Sequence, residues 1–188
     1  GAHKQLSDSE THAMENFCLN NNAVVFCDHT SAYRGKSRVV FSLVAAQTMF
    51  DLSDFRPDLL IHIGEVSGDY PTLNMAGKDV WRVSEDGEIR DTFSRLRYVF
   101  EMSEQSFFEH YSGTGLNNES YYLACNQFLE STRKKIPELP FSNVWLASKM
   151  AHKIPKQSTI HFGILNSLRT WNFFDLHNSV ASNSNAFN

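Results

Sequence analysis

An excess of positive charge, paired cysteines and long apolar runs are all missing from this chain of 188 residues. Lys and Arg number 17 against 21 Asp and Glu, a net charge of −4, which is not the electrostatic footprint of a DNA- or RNA-binding protein. Nucleic acid is not an expected partner. The three cysteines, Cys18, Cys27 and Cys125, are odd in number, far apart and form no CxxC pair. They support neither a disulfide framework nor a zinc knuckle, and fit a reducing cytoplasm. No run approaches the roughly eighteen apolar residues of a membrane span, and the N-terminus lacks the basic-then-apolar order of a secretory signal. A soluble, cytoplasmic protein without a membrane partner is expected. Eight histidines show no HExxH or comparable spacing, so no metal site is predicted within the chain.

What is present is ordinary globular composition, 41% hydrophobic and 20% charged, in a chain long enough to bury roughly two thirds of its unfolded surface around one core. "LSDSETHAMENFCLNN" offers Ser7 as N-cap and Glu10 three residues later, a capping box, with Met14, Phe17 and Cys18 on one helical face. "AVVFCDHTSAYRG" is an unbroken apolar run of strand length that ends in Asp28, His29, Thr30 and Ser31, the pattern of a strand buried on both faces. "RVVFSLVAAQTMF" reads as a buried helix despite its β-branched residues. "PDLLIHIGEVSGDYP", "KDVWRVSEDG" and "LRYVFEMSE" read as strands. "SEQSFFEHY", "ESYYLACNQFLESTRKK" and "FSNVWLASKMAHKIP" read as helices, the last capped by Ser142 and stopped by Pro155.

Strands alternating with helices, most without period-2 alternation, predict an α/β fold. The expected architecture is a doubly wound, mostly parallel sheet of five or six strands with helices on both faces. Ligands are then expected beyond the C-terminal ends of the strands. "YSGTGLNNES", residues 111–120, is the best candidate linker.

Several groups carry candidate chemistry. "GEVSG", from Gly64 to Gly68, is not G-x-G-x-x-G, and Glu65 and Asp69 would repel a pyrophosphate, so a tight turn is the better reading. "DHTS" combines an acid, an imidazole and two hydroxyls at a strand end; with no G-x-S-x-G elbow beside it, the structural reading is preferred to acid–base chemistry. Arg90, Arg95 and Arg97 are the densest group of guanidinium side chains. They either converge on an anion, which suits their planar forks, or pair with Glu85, Asp86, Glu88 and Asp91. The aromatic pairs Phe107–Phe108 and Tyr121–Tyr122 read as core or subunit contacts.

The last stretch, "IPKQSTIHFGILNSLRTWNFFDL…SVASNSNAFN", resembles a segment of the thiamine-diphosphate-dependent synthase family that makes 2-succinyl-5-enolpyruvyl-6-hydroxy-3-cyclohexene-1-carboxylate in menaquinone biosynthesis. That family has a Leu-Pro turn, a strand ending Phe-x-Gly, an Asn-Ser pair, an Arg a few residues on and an Asn-Arg-Gly strand. Ile154-Pro155, Phe162-Gly163 and Arg169 match this pattern without gaps, Asn166-Ser167 come two residues late, and "SNSNAFN" replaces the Asn-Arg-Gly strand, with Asn185 nearest to its arginine. "PDLLIHIGEVSGDYPTLNMAGKDVWRVSEDGEIRDTFSRLRYVFE" also looks like the family's central domain.

The resemblance implies that residues 1–175 are the central domain of a longer enzyme, lacking their first strand, and that residues 176–188 are a strand or linker towards an absent diphosphate-binding domain. It implies a transferase that decarboxylates 2-oxoglutarate and adds the succinyl unit to isochorismate or a similar acceptor. Thiamine diphosphate and Mg2+ would be held by flanking catalytic domains, with no cofactor in this fragment and no turnover by the fragment alone. Arg169, Asn166, Ser167 and Asn185 are the implied substrate-binding residues, and Arg90, Arg95 and Arg97 a possible second anion site. A homo-oligomer is expected. Two rivals remain at this stage: a central domain that binds FAD or ADP, and a purely architectural domain that makes oligomer contacts.

Overall fold

The computed structural model describes residues 2–65, 69–115 and 117–177, together with the backbone of 181–184. The first helix, α1 (Asp8–Asn20), begins as its capping box dictates. The Ser7 side chain accepts from the Glu10 amide, and the Glu10 carboxylate accepts from the Ser7 amide at 2.7 Å, so two otherwise orphaned donors are satisfied. Two short strands follow, β1 (Val25–Phe26) and β2 (Arg38–Val39), and then one turn of helix, α2 (Ser42–Ala45). The expected helix over "RVVFSLVAAQTMF" is therefore divided. Its β-branched opening pairs as a strand, and only the segment after Phe41 coils.

Next come β3 (Leu59–His62), β4 (Asp79–Ser84) and β5 (Leu96–Glu101), then α3 (Glu104–Tyr111), α4 (Ser120–Arg133) and α5 (Asn143–Met150). Ser103 and Ser142 cap α3 and α5 through amides three residues on. The chain closes with β6 (Thr159–Phe162), α6 (Asn166–Trp171) and β7 (Ala181–Ser184). The linker segment is pinned to the end of α1. Asn118 donates its amide to Leu19 O at 3.0 Å, and a Cβ on Gly115 would stand 1.7 Å from Asn20 O.

Among the described residues every strand pairing is parallel, and the fold is mixed α/β. It does not form the single five- or six-stranded sheet expected from its sequence. Among the described residues the strands make three small sheets, β1–β2, β3–β4–β5 and β6–β7. The reason lies at two edges: among the described residues β1 bonds only to β2 and β3 only to β4, and a cleft lies between them.

Three apolar clusters hold the elements together. Ala13, Met14, Tyr33, Val83, Phe107 and Phe108 join α1 and α3 to β4; each fully buried aromatic contributes about 2 kcal/mol. Phe41, Val44, Met75, Cys125 and Leu129 join α2 to α4. Phe162, Leu168 and Leu176 tie β6 to α6. All three cysteines are buried and unpaired. No helix of the described residues is long and apolar enough to cross a membrane.

Candidate functional site

The segments that follow β1, β2, β3 and β6 converge on one polar rim. His29, just past β1, fastens it. Its amide donates to Asn172 Oδ1 at 2.9 Å, and its Nε2 lies 3.0 Å from Trp171 O and 2.9 Å from Phe174 O. Carbonyls only accept, so Nε2 carries the hydrogen. The imidazole also stacks on Phe162, with centroids 5.6 Å apart. Burial, and then the charge of Arg38, push its pKa down, which disfavours the imidazolium. Asp28 turns the chain by accepting from the amides of Thr30 (2.8 Å) and Ser31 (3.1 Å), an Asx-type turn. "DHTS" thus closes a strand end, as the structural reading held.

A second hydrogen-bonded pair lies beside it. Ser42, the first residue of α2, donates a hydrogen bond to Asp69 Oδ2. Thr72 donates to the Asp69 carbonyl at 2.8 Å. Asp69 is only 1% exposed. Burial pushes its carboxyl up to about 6 and the Asp28 charge adds to the rise, while the Ser42 hydrogen bond and the Arg169 charge oppose it. Near neutral pH this group can hold or release a proton.

Arg169 sits in α6 with its guanidinium carbon 4.5 Å from the centroid of the Tyr70 ring, a cation–π contact. Tyr70 is 58% exposed and also lines a cleft of about 590 Å³ with Gln47, Asp51, Arg56 and Asn74. The turn that presents α6 is strained. Leu165 has φ 77° and ψ −118°, a conformation that costs a non-glycine residue about 1–3 kcal/mol. Leu165 and its neighbour Ile164 are half exposed. Asn166 and Ser167 are exposed in the first turn of α6. Asn185 lies outside the described residues.

Arg90, Arg95 and Arg97 are not brought together. Arg90 pairs with Glu65 and with Glu88, Arg95 donates to the carbonyls of Ala76 and Gly77, and exposed Arg97 stands 4.0 Å from Asp79. Sequence reasoning overlooked the buried member of this neighbourhood. Arg82 in β4 is 1% exposed and donates to Gly64 O (3.0 Å) and Glu88 O (3.1 Å), clamping the loop after β3. It also overlooked the Ser42–Asp69 pair, whose partners lie 27 residues apart; an Asp just past a turn glycine at a strand end was the available signal.

Among the described residues no group of three or more His, Cys, Asp or Glu is arranged to hold a metal ion. No protein-family model and no curated protein matches this chain.

Proposed function

We propose that this chain is the central domain of a thiamine-diphosphate-dependent 2-oxo acid decarboxylase or carboligase, of the kind that transfers a succinyl unit from 2-oxoglutarate to an isochorismate-like acceptor. The observation that carries the reading is Arg169. Its guanidinium is held over Tyr70 beside Asp69 at the rim where the parallel strands end, the edge at which such folds bind ligands.

In this reading the three small parallel sheets are segments of one doubly wound layer with helices on both faces. Residues 1–175 form the domain, and residues 176–188 lead towards a diphosphate-binding domain. Thiamine diphosphate and its Mg2+ are assigned in this reading to the flanking domains of a cytoplasmic homo-oligomer. There the cofactor supplies the carbanion chemistry. This chain's residues bind and orient. Arg169 engages a substrate carboxylate, Asn166 and Ser167 stand ready to donate to its oxygens, and fixed positioning lowers the barrier.

The test is Arg169→Ala in the complete polypeptide that this reading implies. Loss of one charge-assisted contact lowers kcat/KM for the 2-oxo acid by roughly 10- to 100-fold. An unchanged kcat/KM removes the residue from the site. The isolated chain, given thiamine diphosphate, Mg2+ and 2-oxoglutarate, releases no carbon dioxide.

A further inference from the structure

A cavity of about 610 Å³ separates β1 from β3. Residues 23–26 line one side of it and residues 57–63 the other. The two strands run the same way along its walls. At one end Tyr121 donates its amide to Asn22 Oδ1 (2.9 Å) and its hydroxyl to Phe55 O (2.6 Å), so the starts of both strands meet at one residue. At the other end residues 2 and 3 bridge the two exits. The His3 amide donates to Thr30 O, past β1, at 3.3 Å, and the Glu65 amide, past β3, donates to Ala2 O at 2.7 Å.

The facing edges are ladder edges. Val25 and Cys27 donate their amides towards β2, to Ser37 O and Val39 O, so alternation turns Val24 and Phe26 towards the cavity. Asp58 O accepts from Asp79 in β4, so Leu59 and Ile61 face the cavity from the other side. No strand of the described residues pairs with either edge. Two polar atoms in the lining, His62 Nδ1 and Thr92 Oγ1, also lack a hydrogen-bond partner among the described residues. A five-residue strand in a packed sheet fills roughly 16 × 4.8 × 10 Å, on the order of 800 Å³, comparable with the space present.

The helix supplies the direction. α1 starts five residues after His3, which bonds to the exit end, and returns to Asn20, five residues before β1. A helix placed this way is what the crossover of a βαβ unit ending in β1 requires. Gly64, at φ 67°, makes room for residue 2, because a Cβ there would stand 2.6 Å from Ala2 O.

We propose that this cleft seats one further parallel strand, which runs between β1 and β3 and arrives at Ala2 from its N-terminal side. The strand joins the β1–β2 and β3–β4–β5 sheets into one. Its chemistry follows from its surroundings. Met14, Phe17 and Cys18 of α1 line the cleft, as do Leu73, Met75 and Phe93, so the occupant is apolar on both faces, a continuous rather than alternating hydrophobic run. The inference does not depend on the function proposed above.

The experiment extends the chain with Lys-Val-Val-Ile-Val-Gly-Ser placed directly before Gly1, and compares it with the unextended chain and with an extension whose isoleucine is proline. The same peptide is also added in trans. Hydrogen exchange at the amides of Val24, Phe26, Leu59 and Ile61 slows by roughly tenfold or more in the extended chain. Proline removes a donor from the strand and abolishes most of that protection. In trans the peptide binds one per chain and protects the same amides. Protection that proline leaves intact, protection elsewhere only, or a dimer in which a second copy fills the cleft overturns the proposal, as does a cleft that takes neither the tethered nor the free peptide.

Discussion

Arg169 and Tyr70 belong to segments that follow different strands, β6 and β3, and the guanidinium rests on the ring face 4.5 Å away. The contact fixes where a cation with five donors is presented while leaving the Tyr70 edge in solvent. Such a contact at a half-exposed site is worth about 1 kcal/mol or less, so its value is positional. Tyr70→Ala is expected to shift the urea midpoint only slightly. In the complete polypeptide of the proposed reading it raises KM for the 2-oxo acid, and Arg169→Lys restores little because an ammonium lacks the fork. A Tyr70→Ala protein with wild-type KM would show that the ring does not orient the cation.

Asp69 makes stability depend on pH with a defined sign. Its folded-state value, about 6, lies above the ordinary 3.8, so the native state holds the proton more tightly than the unfolded chain. The contribution is fully present below about pH 4 and is lost as pH rises through about 6. His62 acts in the opposite sense, since burial pushes its pKa down to about 4. The informative quantity is therefore the difference between wild type and Asp69→Asn, in which His62 cancels. Between pH 4 and pH 7 that difference moves in favour of the variant by on the order of 2 kcal/mol. Urea titrations giving parallel stability curves would contradict the assignment.

Arg82 is the least replaceable charge among the described residues. Removing its side chain strands the Gly64 and Glu88 carbonyls that accept from it and empties space inside β4. Arg82→Ala is expected to cost about 2–4 kcal/mol. Arg82→Lys recovers less than half, because an ammonium cannot reproduce the spread of a guanidinium. Equilibrium unfolding reads both, and a loss below 1 kcal/mol for the alanine variant would be inconsistent with the clamp.

Leu165 offers a substitution in the other direction. Its side chain is 52% exposed, and its backbone adopts φ 77°. Leu165→Gly removes the steric penalty and stabilises the fold by about 1 kcal/mol. Leu165→Val, β-branched at the same φ, destabilises it. Calorimetric Tm values in the reverse order would mean that the turn carries no strain.

Local features of the fold were legible because their chemistry is local. The Ser7–Glu10 box, the Ser142 cap and the strands at Leu59, Asp79 and Leu96 each follow from residues within a few positions. The β2–α2 segment was not legible. The choice between helix and strand for Arg38 and Val39 is made by pairing with Val25 and Phe26, thirteen residues earlier. The split of the sheet was hidden for the same reason, since nothing within β1 or β3 announces the cleft between them. At the candidate site, Arg169 came into view only through a resemblance to a family, not through its local chemistry. The Ser42–Asp69 pair and buried Arg82 depend on loops brought together from distant parts of the chain. The cluster of Arg90, Arg95 and Arg97 looked dense along the sequence, yet each cation turns to a different partner.

The burial of Cys18, Cys27 and Cys125 gives the chain a built-in clock. Burial pushes the Cys18 and Cys125 thiols up to about 12, far from the thiolate form that reacts with alkylating reagents. Labelling must wait for an opening event. Cys125, on α4 where it packs against α2, times the separation of those helices, and Cys18, against the cleft, times the loosening of α1. A bound strand would slow the second clock and leave the first running at its own pace.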